Sequence, residues 1–302
     1  MNKILKGTKN LIYSKAFFVM IMLFPMLFHL AVFWLGVQIE SIKLAFVDEM
    51  GNFTWDYFKL VFQQFASSGD SVGIFFISLR NTLIFWLIST CQIPLVIFFA
   101  YMFYKEMWGH KVARVIFYLP GLFGSLMMAI IIQQMFMSDG FMIRFLNDVL
   151  HLNVPTPLIM EAAMEFIASF DIWFGVGSGM IIWMGAMGRI PYDLIEVGWL
   201  DGIKPGREFF SVIIPLIRPT LTTFLTLQVV GILGASGSVL LFTEGKYDTW
   251  TLSYYLYHIV YKGQTQSYHD ASALGLLMTL VTIPLVVLSR LIINKWGEEV
   301  QY

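Results

Sequence analysis

Six apolar runs, each about as long as a bilayer is thick, leave this chain few ways to fold. A hydrocarbon core about 30 Å thick takes ~20 apolar residues as a helix, and in lipid only helices and closed barrels satisfy their own backbone hydrogen bonds. The runs fall at about Ala16–Val37, Ile74–Tyr104, Val112–Met135, Phe166–Met187, Thr220–Phe242 and Ala271–Ile293. The second is longer than a span needs, which implies tilt or a start in the interface near Arg80. Composition agrees: 58% of residues are hydrophobic, 13% are charged, and the mean hydropathy is +0.72. The expected fold is an all-α integral membrane protein, one transmembrane domain over residues 1–302.

Orientation follows from where lysine and arginine fall. Thirteen of the nineteen sit on one side when both termini are placed in the cytoplasm: Lys3, Lys6, Lys9, Lys15, Lys105, Lys111, Arg114, Arg189, Lys204, Arg207, Arg218, Arg290 and Lys295. The lysine-rich start resembles a signal peptide, yet the apolar run behind it is a full span and no small-residue cleavage site follows at Gly36-Val37-Gln38. An uncleaved first helix is expected. A net charge of −1 lacks the basic excess that a nucleic-acid partner needs. The single cysteine, Cys91, lies in an apolar run and suggests neither a disulfide nor a metal site.

Signatures of covalent chemistry are missing. The only Gly-Lys pair, Gly245-Lys246, has Leu240 and Tyr247 where a phosphate-binding loop needs glycine and a serine or threonine. No zinc-protease or serine-nucleophile motif occurs, and the five histidines are scattered. His29, inside the first span, reads as a satisfied interior polar group. Intramembrane charge is sparse: Asp171, near the outer end of the fourth run with Trp173 beside it, is the main candidate, read either as a carboxylate solvated at the interface with Trp173 as a belt residue or as a polar wall of a solute path. Uncharged candidates for the same path are Asn81, Gln92, Gln133, Gln134, Gln228 and Ser236, each of which could instead bond a neighbouring helix. Gly231, Gly234 and Gly237 in the fifth run read as small residues that let helices approach closely.

One polar stretch, Pro191–Thr220, interrupts the apolar pattern on the cytoplasmic side. Pro191 suits a helix start and Asp193 suits the positive end of its dipole. Gly202 is a natural stop, and Lys204-Pro205 begins a second short helix that Pro215 closes. On a first helix of about eleven residues, Tyr192, Ile195 and Trp199 form one apolar stripe, flanked by Asp193 and Glu196, with Gly198 bare on the other side. The stripe suits a groove on a partner protein. A lipid-lying helix is less attractive, since this one lacks lysine and arginine.

These residues resemble the cytoplasmic loop of permease subunits of binding-protein-dependent ABC importers, whose pattern is E-A-A-x3-G-x9-I-x-L-P. Here it reads Glu196-Val197-Gly198, then Gly202, then Val212-Ile213-Ile214-Pro215. Asp201-Gly202, Phe209 and Pro215-Leu216-Ile217-Arg218-Pro219 are similar to the carbohydrate-uptake branch. So are Arg80-Asn81-Thr82-Leu83-Ile84-Phe85 and Phe117-Tyr118-Leu119-Pro120; Leu241-Phe242-Thr243-Glu244-Gly245 with Tyr254-Tyr255-Leu256-Tyr257 resembles the MalF-type (first) permease. The resemblance implies a MalF/MetI-like permease fold with six transmembrane helices and a cytoplasmic coupling-helix loop over 189–219. It implies half of a pathway for a carbohydrate, in a prokaryotic cell membrane. The partners it implies are a second, MalG-type permease, two cytoplasmic ATPase subunits and an extracytoplasmic solute-binding protein. ATP and Mg would be bound by the ATPases; this chain would hold no cofactor and do no catalysis. The coupling residues carried over are Glu196, Gly198 and Gly202, joined by Tyr192, Asp193, Ile195, Trp199 and Asp201 from the helix geometry. The competing reading is a stand-alone secondary carrier or channel, which would need its own coupling-ion site.

Overall fold

The computed structural model describes residues 15–48, 50–66, 70–137, 139–152, 162–262 and 266–294. Lys3, Lys6, Lys9 and Lys295 of the proposed inner set lie outside them. Among the described residues there is no strand, only an isolated bridge between Val47 and Phe53. Four helices are long and apolar enough to cross a membrane, and two bent helix pairs raise the number to six if each pair is one span.

The first span joins α1 (Lys15–His29) through a π-turn at Leu30–Leu35 to α2 (Gly36–Phe46), and runs on well past the expected Val37. Beyond it, α3 (Asp56–Ala66) leads to the 35-residue α4 (Asp70–Tyr104). This helix packs along α8 (Ala163–Met187) to form the central pair of the bundle. Glycines make the crossing possible. A Cβ on Gly179 would sit 3.0 Å from Val96 Cγ1, and one on Gly177 would sit 1.9 Å from the carbonyl oxygen of Phe117 on the next helix.

That neighbour is α5 (His110–Leu122), and here the expected third span is corrected. Instead of one helix over Val112–Met135, α5 ends and α6 (Ser125–Met135) leaves at 109°. Pro120 and Gly121 close the first, and Phe123 and Gly124 adopt extended backbone between the two. The short α7 (Phe141–Arg144) follows α6.

The polar loop carries α9 (Tyr192–Leu200) and α10 (Pro205–Leu216), with a π-turn at Phe209–Ile213. Pro215 does not close the second helix, as was expected. It sits inside the last turn, and the bend of 71° comes at Ile217, before α11 (Arg218–Val230). The fifth run is also not one helix: α11 has thirteen residues, roughly 20 Å at 1.5 Å per residue. Gly231–Ser238 then runs in turns to α12 (Val239–Phe242). Near the opposite end, α13 (Leu252–Lys262) precedes the last span, α14 (Gln266–Asn294).

Two cores hold the ends of the bundle. At the loop end, Ile97, Tyr101 and Phe103 of α4 pack with Met180, Trp183 and Met187 of α8 and with Ile195, Phe209 and Ile213 of the loop. At the far end, Ala45, Tyr57, Phe58, Phe75, Leu252 and Leu274 bring five helices together. A buried polar knot joins that end. Asn81 donates to the carbonyls of Asp248 (2.7 Å) and Trp250 (2.9 Å), and Thr82 Oγ1 accepts from the N–H of Leu252 (2.9 Å). The knot braces a turn in which Glu244, Tyr247 and Asp248 all have positive φ. The two sequence signatures around Asn81 and Thr243 are thus one physical object.

Candidate functional site

Two features stand out: the loop helix α9 and a cavity beside the fifth span. The helix ends at Gly202, whose φ of +70° lets the N–H of Ile203 reach the carbonyl of Gly198 at 3.0 Å, the bond that closes a helix at a left-handed residue. It has nine residues rather than about eleven. Its faces are not as the stripe implied. Ile195 is 2% exposed and completes the loop-end core, with Gly198 buried beside it. Tyr192 is exposed, and the Trp199 side chain lies outside the described residues. The opposite side bares Asp193, Glu196, Val197 and Leu200, with Asp201 and Gly202 exposed at its end. At 100° per residue Ile195 and Gly198 share one side while Asp193, Val197 and Leu200 share the other. The apolar anchor therefore points home, and a mixed acidic and aliphatic face points out.

The following helix is pinned more firmly. Glu208 is 2% exposed and its Oε1 lies 2.7 Å from Lys105 Nζ, just past the end of α4. The Tyr101 hydroxyl donates to the carbonyl of Pro205 at 3.0 Å. Removing one partner of a buried pair costs about 3–5 kcal/mol, so α4 and α10 are held as one piece. Lys105 entered the sequence reading only as an orienting charge. Its partner is distant in sequence, and no local spacing reveals the pair.

The cavity encloses about 400 Å³ between α4, α8 and the turns that follow α11. Its polar lining is Trp86, Ser89, Gln92, Asp171 and Gln228. Gly231, Gly234 and Gly237 also line it, which corrects their assignment to helix packing. Glycine tolerates the φ of +54° at position 237, where a Cβ would meet Asp171 Oδ2 at 2.5 Å and Phe85 at 2.7 Å. Side chains satisfy the irregular backbone. Trp86 Nε1 donates to the carbonyl of Gln228 (2.8 Å), Ser253 Oγ to that of Gly234 (2.9 Å), and Asp171 accepts from the N–H (3.1 Å) and hydroxyl (2.5 Å) of Ser238. Irregular backbone at membrane depth is tolerated where it lines a cavity.

Of the expected path residues, Gln92, Asp171 and Gln228 come together here. Trp86 and Ser89 were missed; Ser89 lies within one turn of Gln92 and Trp86 within two, a signal that was present. Asn81 is removed from the set by the knot that consumes it. Gln133 and Gln134 lie on α6 away from this cavity, and Ser236 is on the glycine turn but does not line it. Trp173 lines a separate cavity of about 420 Å³ with Phe136, Phe166, Phe170 and Glu165. Among the described residues no group of His, Cys, Asp and Glu is placed to hold a metal.

A bundle of bent spans with a pinned loop helix and a polar cavity has the form of a transport component, and comparison with known proteins agrees. Residues 92–295 match the binding-protein-dependent transport system inner membrane component family, and the chain belongs to that family. A probable ABC transporter permease of Mycoplasma pneumoniae is 29% identical over 177 residues, 56% of this chain and 53% of that protein. The lactose transport system permease LacF of Rhizobium radiobacter is 23% identical over 236 residues, covering 73% of this chain and 78% of its own. This chain thus aligns with about half of the first relative and over three quarters of the second. A chain from the crystal structure of a bacterial ABC transporter that imports the acidic polysaccharide alginate shares the fold at a TM-score of 0.77. It has 20% identity, with 98% of this chain and 100% of that one covered.

Proposed function

We propose that this chain forms half of the transmembrane pathway of an ATP-driven carbohydrate importer. It pairs with a second permease of related fold and is fed by an extracytoplasmic binding protein. Two ATPase subunits, which hold the ATP and Mg, act on it through the 191–219 loop. Both termini lie in the cytoplasm in this reading, which the bias of lysine and arginine toward that side supports.

The observation that carries this reading is the two-sidedness of α9. One face is fixed to the chain's own core by Ile195, and the other bares Asp193, Glu196, Val197 and Leu200. A short helix is marginal in water by itself, but one anchored this way moves only with the bundle. Force applied to its outer face passes through α10 and the Lys105–Glu208 pair into α4, which carries Trp86, Ser89 and Gln92 at the cavity. The cavity supplies the other half of the reading. With Gln92 Nε2 donating to the carbonyl of Ile172, and Gln228 Oε1 3.2 Å from a Ser89 hydroxyl that also lies 2.9 Å from the Trp86 carbonyl, a Gln92 oxygen and the Gln228 amide group are left for a ligand. Donor and acceptor side by side, with Trp86 for stacking, suit a hydroxyl-rich ring.

The test is reconstitution with the ATPase and second permease. Val197→Cys is expected to crosslink to a cysteine in the ATPase groove, and Glu196→Lys to abolish uptake while the protein still inserts. Full uptake by Glu196→Lys with no crosslink would remove the coupling role. Uptake by the chain alone, without ATP, would replace the importer with a carrier.

A further inference from the structure

The cavity's lining has a sign. Of its side chains only Asp171 is ionisable, and no lysine, arginine or histidine lines it. Asp171 makes no ion pair among the described residues; its two oxygens accept from the N–H and hydroxyl of Ser238. Those bonds fix where the carboxylate stands. They also tie it to the glycine turn, so it cannot swing away from a passing solute without breaking that turn.

We infer that this cavity selects by charge: it passes saccharides that are neutral or carry an amine, and it rejects those that carry carboxylates. The inference rests on the cavity being part of the solute path, as proposed above. The physical reason is Coulombic. A uronate carboxylate beside Asp171 would bring two like charges together where little water screens them, whereas a hydroxyl or an ammonium can hydrogen-bond to the same oxygens. Gln92 and Gln228 recognise hydroxyl groups and cannot offset a solute's negative charge as a cation would. The shared fold with an importer of an acidic polysaccharide therefore does not extend to the charge of the cargo. Asp171 is a specificity residue in this reading, and its part in holding the turn is separable from it.

A cysteine probe reads the field directly. Cys91 is the one cysteine in the chain and is exposed; Cys91→Ser clears the background, and Ala235→Cys places a thiol on the cavity wall. In the assembled importer, with each rate divided by the same reagent's rate on free 2-mercaptoethanol, a cationic methanethiosulfonate is expected to modify that thiol on the order of tenfold faster than an anionic one of similar size. Asp171→Asn, which keeps an acceptor for Ser238, is expected to bring this normalised ratio toward one. A normalised ratio of one in the parent protein overturns the inference. Sugars then serve as protectants: maltotriose and a glucosamine trisaccharide are expected to slow modification, and trigalacturonate is not. Equal protection by trigalacturonate overturns the charge selection while leaving the cavity as the path. No protection by any of the three sugars removes the cavity from the path, and the inference with it.

Discussion

Two glycine-bearing stretches of this protein look alike in sequence and do opposite work. In α8, Gly175, Gly177 and Gly179 lie within a continuous helix and give up their side chains so that neighbours can approach: Gln92 at the first, the Phe117 backbone at the second, Val96 at the third. After α11, Gly231, Gly234 and Gly237 end a helix, turn the chain and line a cavity. Both sets are small residues in apolar runs. The first is needed for what it lets near; the second, at Gly237, for a backbone angle that other residues resist.

Substitution separates these roles. The largest effect is expected from Gly177→Ala, because a Cβ 1.9 Å from a carbonyl oxygen can be relieved only by moving α8 off α5. A loss of more than about 3 kcal/mol, beyond the usual range for overpacking, should appear as collapse of the thermal transition in detergent. An unchanged transition would show that the crossing is looser than the geometry states. Gly237→Ala comes next: left-handed backbone costs about 1–2 kcal/mol for a residue with a Cβ, and the new methyl meets Asp171 and Phe85. Here uptake should fall much further than stability, and a parallel fall in both would erase the distinction between the two stretches. Ser238→Ala removes the hydroxyl bond to Asp171 but keeps the N–H, for a loss of about 1.5–3 kcal/mol with the carboxylate as acceptor. Chemical denaturation of the purified complex reads that difference.

The smallest effects belong to the loop. Gly202→Ala must hold an alanine at φ +70°, at about 1–2 kcal/mol, with nothing nearby to clash. Uptake should weaken while membrane insertion stays normal. Gly198→Ala is expected to be nearly silent, since its Cβ meets only Ile203 Cδ1 at an ordinary 3.7 Å. A large loss of uptake there would mean that the partner, not this chain, needs the glycine.

The loop was legible because its signals are local. Pro191 and Gly202 punctuate a helix by rules that act within a few residues, and the structure keeps both. The direction of its faces was not, because Ile195 is turned inward by α4 and α8, which its own sequence does not mention. The break at Phe123–Gly124 was readable: Pro120, Gly121 and Gly124 stand in the middle of a run taken as one span. Gly231–Gly237 was ambiguous in principle, since small residues three apart serve packing and unwinding equally well. Asn81 looked like a path residue for want of its partners, the carbonyls of a turn far along the chain. Family membership was legible because it rests on an ordered set of such local signals spread along the chain.

The Lys105–Glu208 pair also sets an order in time. Glu208 leaves the ribosome about a hundred residues after Lys105, an interval on the order of 5–20 s at typical elongation rates. Until then the end of α4 must keep its lysine in water, so the loop-end core cannot close around it. Closure of this end of the bundle therefore waits for the loop, and the loop that would receive the push of the ATPases also carries the charge that lets the core shut behind it.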